Sequence, residues 1–224
     1  MSTDPLPADR VPMTALPQAR QSHARREEVL AAAAECFMRR GYEATSMDDV
    51  ADALGATKGR VYHHFPSKPD LFFEVYRRAM EILMQGAAPA MADAGTAERR
   101  LFGLAKAHTL AMMESQTFQR SLTLGVDLYR FGSPSDEHKV VLEDLMRLRF
   151  TYEDLFRKVF AEGQADGSLK VPDPSLAMRT ILGALNWVAV WYSPRPGEDR
   201  PHRDKLAEQI VETVLGGYLA PRSG

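Results

Sequence analysis

The segment LGATKG, residues 54–59, leaves almost no chain between two helices. Met47, Val50 and Leu54 recur at helical spacing and stop at Gly55, and a third short helix starts at Thr57. The turn ATK is short enough to hold that helix across the one before it, the anatomy of a helix-turn-helix. Such a motif sets the start of its second helix into the major groove of DNA.

The surrounding chain fits this reading. Leu30, Ala33, Ala34 and Phe37 mark a helix over Arg25–Arg40 that Gly41 ends. Ser46 with Asp49, and Ser67 with Asp70, predict capped helix starts. The fourth helix runs through Leu71, Phe72, Val75 and Tyr76 toward Met84, and GAAPAMADAG, residues 86–95, predicts a break. Further helices are expected over Ala97–Gln116, Phe118–Tyr129 and Asp136–Glu162, then a turn-rich connector, GQADGSLKVPDP. Ser175–Tyr192 is apolar nearly all round, which predicts burial on most sides. A final helix, Arg203–Leu219, repeats Leu206, Ile210, Val214, Leu215 and Tyr218 on one face. No convincing strand is visible. The expected class is all-α, with about nine or ten helices.

The function has to be read from placement, because composition is neutral. The 224 residues carry a net charge of −2, with 45% hydrophobic and 26% charged residues, which suits a packed core and a polar surface. Bases and acids nearly balance even over residues 20–78. The single cysteine, Cys36, rules out an internal disulfide, fits a reducing cytoplasm, and reads as a small buried hydrophobe. The stretch 1–20, with Pro5, Pro7, Pro12 and Pro17, reads as a flexible arm rather than a signal peptide. Leu176–Tyr192 is too short and too polar, with Arg179 and Asn186, for a membrane span.

Within ATKGRVYHHFPSK, residues 56–68, donors and flat rings crowd together. Thr57 offers a hydroxyl and an amide, and Lys58 can reach a phosphate or a guanine edge. Gly59 lets the DNA backbone approach closely. Tyr62 and His63 project from the same helix, and Lys68 opens the next, where charge and free amides hold a phosphate. Thr45 and Ser46 do similar work before helix two. Arg60 is either a further DNA contact or a surface charge. Phe65 reads as core, and so could Tyr62. His64 is the histidine expected to pack inside. A metal role for His63 and His64 is not expected, since adjacent helical residues diverge and no partner sits four residues on.

FMRRGYEATSMDDVADALGATKGRVYHHFPSKPDLF, Phe37–Phe72, closely resembles the DNA-binding domain of the TetR family of transcriptional repressors. The resemblance rests on Gly41, Tyr42, Thr45, Ser46, Ala53, Gly55, Tyr62, His64, Phe65 and Lys68. It implies a homodimer on a near-palindromic double-stranded DNA operator and a larger helical domain for a small-molecule effector. The expected division is an arm at 1–20, a DNA-binding domain at 21–68 and a ligand-binding and dimerisation domain at 69–224. Two recognition helices should then lie about one DNA turn apart.

The last two long helices carry more apolar surface than one subunit needs and look like halves of a four-helix interface. Leu185, Val188, Ile210, Val214 and Tyr218 are its expected residues. Phe118, Leu122, Tyr129, Phe150, Asn186, Trp187 and Trp191 are candidate pocket linings, with Tyr152 and Phe156 beside them. ILGALNWVAVWYSPRP, Ile181–Pro196, and ADGSLKVPDP before it resemble TetR-family regulators that respond to acyl-CoA thioesters, including those of fatty-acid, steroid and aromatic degradation. On that resemblance Arg147 and Arg149 could meet phosphates or a carboxylate, against a solvated helix face. Helix four, which joins the two domains, is the expected lever.

No catalytic residue, cofactor or metal is expected. The chain has no G-x-S-x-G, Walker loop, H-E-x-x-H or dinucleotide glycine fingerprint, and His108, His138 and His202 are scattered. The competing readings are a helical adaptor that binds protein, and a TetR-like regulator of an unrelated apolar, drug-like ligand.

Overall fold

A computed structural model of the chain describes residues 15–132 and 135–219. Its described residues form ten α-helices: α1 (Ala15–Arg40), α2 (Met47–Ala53), α3 (Lys58–His64), α4 (Lys68–Ala92), α5 (Ala97–Glu114), α6 (Gln116–Phe131), α7 (Asp136–Asp166), α8 (Pro174–Asn186), α9 (Val188–Trp191) and α10 (Arg200–Leu215). Their only β contact is an isolated bridge between Leu169 and Leu219.

The short helices are set by local chemistry. Gly41 and Gly55 adopt φ of +80° and +59°, the left-handed conformation that ends α1 and α2 with little strain. Ser46 Oγ accepts from the Asp49 amide at 3.1 Å, and the Ser46 amide donates to Asp49 Oδ2 at 2.8 Å, completing the capping box. Ser67 Oγ likewise accepts from the Asp70 amide. Val29, Leu30, Val50, Val61 and Phe65 close a small core over α1–α3, and Phe72 carries it into α4.

Several boundaries differ from expectation. α1 begins at Ala15, so residues 15–20 of the expected arm are helical; the rest of the arm lies outside the described residues. The break expected at 86–95 comes later, because α4 continues to Ala92 with Pro89 in its last turns. The small residues there serve packing rather than chain reversal. A Cβ on Gly103 would meet Ala90 Cβ at 3.0 Å, and one on Gly86 would meet Ala107 Cβ at 3.8 Å, so α4 and α5 approach closely. The helix expected over 175–192 is interrupted at Trp187. It also keeps one side open: Leu176, Trp187, Val190 and Trp191 are exposed while Leu185 and Val188 are buried.

Gly125 fixes α6 against α4. A Cβ there would lie 2.3 Å from Tyr76 Cε2, and Tyr76 is fully buried. Gly125→Val is expected to cost about 1–3 kcal/mol by overpacking, read as a lower urea midpoint.

Candidate DNA-reading surface and ligand cavity

α3 presents its polar face outward. Thr57, Lys58, Gly59, Tyr62 and His63 are exposed, Tyr62 by 50%. The Thr57 hydroxyl makes no capping bond to the start of α3 and no other hydrogen bond among the described residues. Lys58 is paired with Asp48 of α2, an exposed ion pair that raises its pKa chiefly through the hydrogen bond. Such a pair is weak in water, and a phosphate can compete for the ammonium. His64 is half-buried, and burial, then His63, lowers its pKa, which favours the neutral ring.

Four of the expected DNA contacts have other employment. Thr45 is buried, and its hydroxyl donates to the Gly41 carbonyl at 2.7 Å and lies 3.2 Å from the Cys36 carbonyl oxygen. It ties the end of α1 to α2. Thr45→Val is expected to lower stability by about 1–3 kcal/mol, measured by urea unfolding. Lys68 turns inward: Nζ donates to the carbonyls of Tyr42 at 2.9 Å and Glu43 at 3.3 Å, and sits 4.4 Å from the Tyr42 ring centroid. Arg60 pairs with Glu28 on α1. The Ser46 hydroxyl, though exposed, is engaged by Asp49 in the cap.

A cavity of about 500 Å³ opens between the end of α1, α6 and α8. Phe37, Met38 and Gly41 line it from the end of α1, Gln119 to Leu124 with Val126 and Asp127 from α6, Arg149 from α7, and Gly183, Asn186, Trp187 and Val190 from the α8–α9 side. Of the expected linings it gathers Leu122, Asn186 and Trp187. Trp191 lines a separate hollow with Arg195 and His202. Phe118 packs half-buried against the core, while Tyr129 and Phe150 are exposed. Arg147 is exposed and paired with Asp144 at 2.9 Å, so of the two expected arginines Arg149 is the one at the cavity, where Arg120 of α6 joins it. Arg149 Nε donates to Glu153 at 2.7 Å.

The wall behind the cavity is polar; the sequence reading named Arg149, Tyr152 and Asn186 there but missed Gln119 and His108. Gln119 is buried; its amide nitrogen lies 3.1 Å from Ser115 Oγ and 3.4 Å from the Ala79 carbonyl oxygen, leaving Oε1 without a partner among the described residues. His108 is buried between Tyr152 and Asn186, and burial pushes its pKa down to about 4. Burial also raises the Tyr152 hydroxyl far above its ordinary value. The available signal was the spacing of Arg149, Tyr152, Glu153 and Phe156, which share one face of α7.

The expected dimer residues divide. Leu185 and Val188 are 0% and 1% exposed and belong to the chain's own core. Their neighbours on the opposite side, Leu176, Trp187, Val190 and Trp191, form the exposed apolar stripe. Ile210, Val214 and Tyr218 are half-buried along and just beyond α10. No helix among the described residues is long and apolar enough to cross a membrane.

The sequence model for bacterial regulatory proteins of the tetR family matches residues 29–75, and that for the tetracyclin repressor-like C-terminal domain matches residues 94–218. The chain is 32% identical over 204 residues to the HTH-type transcriptional repressor KstR2 of Rhodococcus jostii, covering 89% of this chain and 93% of that one. The structure of the ketosteroid transcriptional regulator KstR2 of Mycobacterium tuberculosis matches with a TM-score of 0.72 at 26% identity, over 88% of this chain and 95% of that one. AibR, solved with isovaleryl coenzyme A and operator DNA, shares the fold with a TM-score of 0.66 at 22% identity, over 84% of this chain and 97% of that one.

Proposed function

The chain belongs to the TetR family of bacterial DNA-binding transcriptional regulators, and from that premise we propose that it is a repressor released from its operator by a small molecule. It binds a near-palindromic site as a homodimer in the cytoplasm, and the effector is an acyl-CoA thioester. Residues 21–68 read DNA and residues 69–224 bind the effector and form the dimer.

One observation carries the reading: the cavity is walled on one side by the DNA-binding domain itself. Phe37 lines the cavity and also meets Phe72 at 5.6 Å and Tyr42 at 5.7 Å between ring centroids. A ligand that fills the cavity presses on the ring stack beneath α2 and α3. If it favours a half-site spacing that the operator cannot accept, DNA and ligand oppose each other equally. α4 carries the same change, since Phe72 belongs to it.

The dimer reading is supported by the exposed stripe of Leu176, Trp187, Val190 and Trp191, together with the half-buried Ile210 and Val214 of α10. Helix pairs with such faces assemble as four-helix bundles. The thioester reading is supported by a cavity sized for an acyl chain, with Arg149 at its wall and a mouth where Arg120, Thr123 and Asp127 reach solvent. A coenzyme moiety can stay outside that mouth. AibR, a neighbour in fold, binds isovaleryl coenzyme A.

The test is selection of bound duplexes from random and genomic DNA, followed by a panel of acyl-CoAs. A palindrome released by one thioester class is expected. A palindrome that no thioester releases keeps the regulator and replaces the ligand by an unrelated apolar one. No enriched sequence at low salt overturns operator binding and favours an adaptor that binds protein.

A further inference from the structure

Operator binding makes no use of His108, yet this ring is held on both nitrogens deep in the effector domain. Nδ1 lies 2.9 Å from the Tyr152 hydroxyl and Nε2 lies 3.1 Å from Asn186 Oδ1. The three residues come from α5, α7 and α8, so their meeting is a product of the fold. Burial keeps the imidazole neutral at neutral pH, so one nitrogen donates and the other accepts.

The chemistry of the neighbours selects the tautomer. The Tyr152 hydroxyl is buried, and His108 is its one hydrogen-bond partner among the described residues. A buried phenol needs an acceptor for its hydrogen, so Nδ1 is bare and accepts. Nε2 then carries the proton and donates to Asn186 Oδ1. This fixes the Asn186 amide with its oxygen toward His108 and its Nδ2 on the other fork. Nδ2 makes no hydrogen bond among the described residues, and Asn186 lines both the small void beside His108 and the large cavity.

We propose that the chain Tyr152–His108–Asn186 sets the polarity of the cavity wall, so that Asn186 offers its amide hydrogens to a carbonyl oxygen of the effector. The inference rests on the reading of the cavity as an effector site. Asn186 is the contact, and His108 and Tyr152 are positioning residues. The ligand class that follows is a largely apolar molecule with an uncharged acceptor oxygen, such as a thioester or a ketone. Arg149 adds donors at the same wall, its charge balanced by Glu153. Apolar compounds lacking a carbonyl leave the Asn186 amide unpaired and bind less well.

Two measurements on the full chain test this. Long-range proton–nitrogen spectra of the histidines at neutral pH should give His108 protonated on Nε2; protonation on Nδ1 overturns the inference. Calorimetric titration then compares decanoyl-CoA with S-decyl-CoA, which differ only in the thioester carbonyl. The native protein should prefer the thioester by about tenfold, the worth of one good hydrogen bond. Asn186→Leu and Tyr152→Phe should bring the ratio near one, and Tyr152→Phe removes only a hydroxyl, which guards against a variant that fails to fold. If neither CoA compound binds, the acyl-CoA reading has failed, and methyl decanoate against decyl methyl ether makes the same comparison through tryptophan fluorescence, to which Trp187 at the cavity contributes. Equal affinity within the pair that binds, no binding in either pair, or a preference that survives Asn186→Leu overturns the inference.

Discussion

Phe72→Ala should remove about 3–5 kcal/mol of folding stability and, with it, operator binding. The Phe72 side chain is fully buried where three segments converge. It belongs to α4, and its ring centroid lies 5.6 Å from Phe37 of α1 and 5.0 Å from Tyr42 of the following turn, both edge-on. Tyr42 in turn lies beneath the Lys68 ammonium. Truncation leaves a ring-sized void under the helix-turn-helix and loosens the clamp that sets α3 against α4. Urea unfolding checks the size of the loss. A cost below about 1 kcal/mol would mean that the stack does not hold the two parts together.

Acidification should destabilise the protein well above the range of carboxylate titration, and His108 is the main cause. Its folded pKa is about 4 against an ordinary 6.5. The unfolded chain therefore takes up the proton first as pH falls. The sign follows: the contribution is fully present above pH 6.5, is lost progressively between 6.5 and 4, and totals about 3 kcal/mol at 1.36 kcal/mol per unit. His64, also lowered, acts in the same direction. Asp49, Asp93 and Asp199 lie below an ordinary 3.8, so their contribution disappears only at lower pH. Urea midpoints from pH 7.5 to 4.5 should fall steeply for the native protein. His108→Phe should start less stable and fall more gently. Parallel curves would show that His108 does not titrate in this window.

The helix-turn-helix was legible in the sequence because short-range rules built it. Ser46 with Asp49 capped α2, Gly41 and Gly55 took the left-handed conformation, and a short turn joined α2 to α3. The side-chain roles were harder to read, since an exposed donor and a donor with an internal acceptor look alike in one dimension. Lys68 finds carbonyls 26 and 25 residues away, and Arg60 finds Glu28 32 residues away. These acceptors arrive only when α1 and α4 pack. The cavity was legible through Leu122, Asn186 and Trp187, while Tyr129 and Phe150 were misread because an aromatic ring carries no mark of facing inward. His108 looked isolated because its partners lie 44 and 78 residues further on. On α8 the period was visible but its phase was not, which exchanged Leu185 for Leu176 and Trp187 on the outer face. Gly86 read as the start of a break, although it sits inside α4 where α5 packs closely.

The central claim is that the outer face of α3 reads DNA, and affinity for the selected duplex tests it most directly. Fluorescence titration of the labelled site with the native protein and with Lys58→Ala and Tyr62→Ala is the measurement, at several salt concentrations. Both side chains are exposed, so the variants should fold with unchanged urea midpoints. Each should bind about ten-fold or more weakly, and Lys58→Ala should reduce the salt slope by about one. Native affinity and native salt dependence in both variants would contradict the assignment of this face.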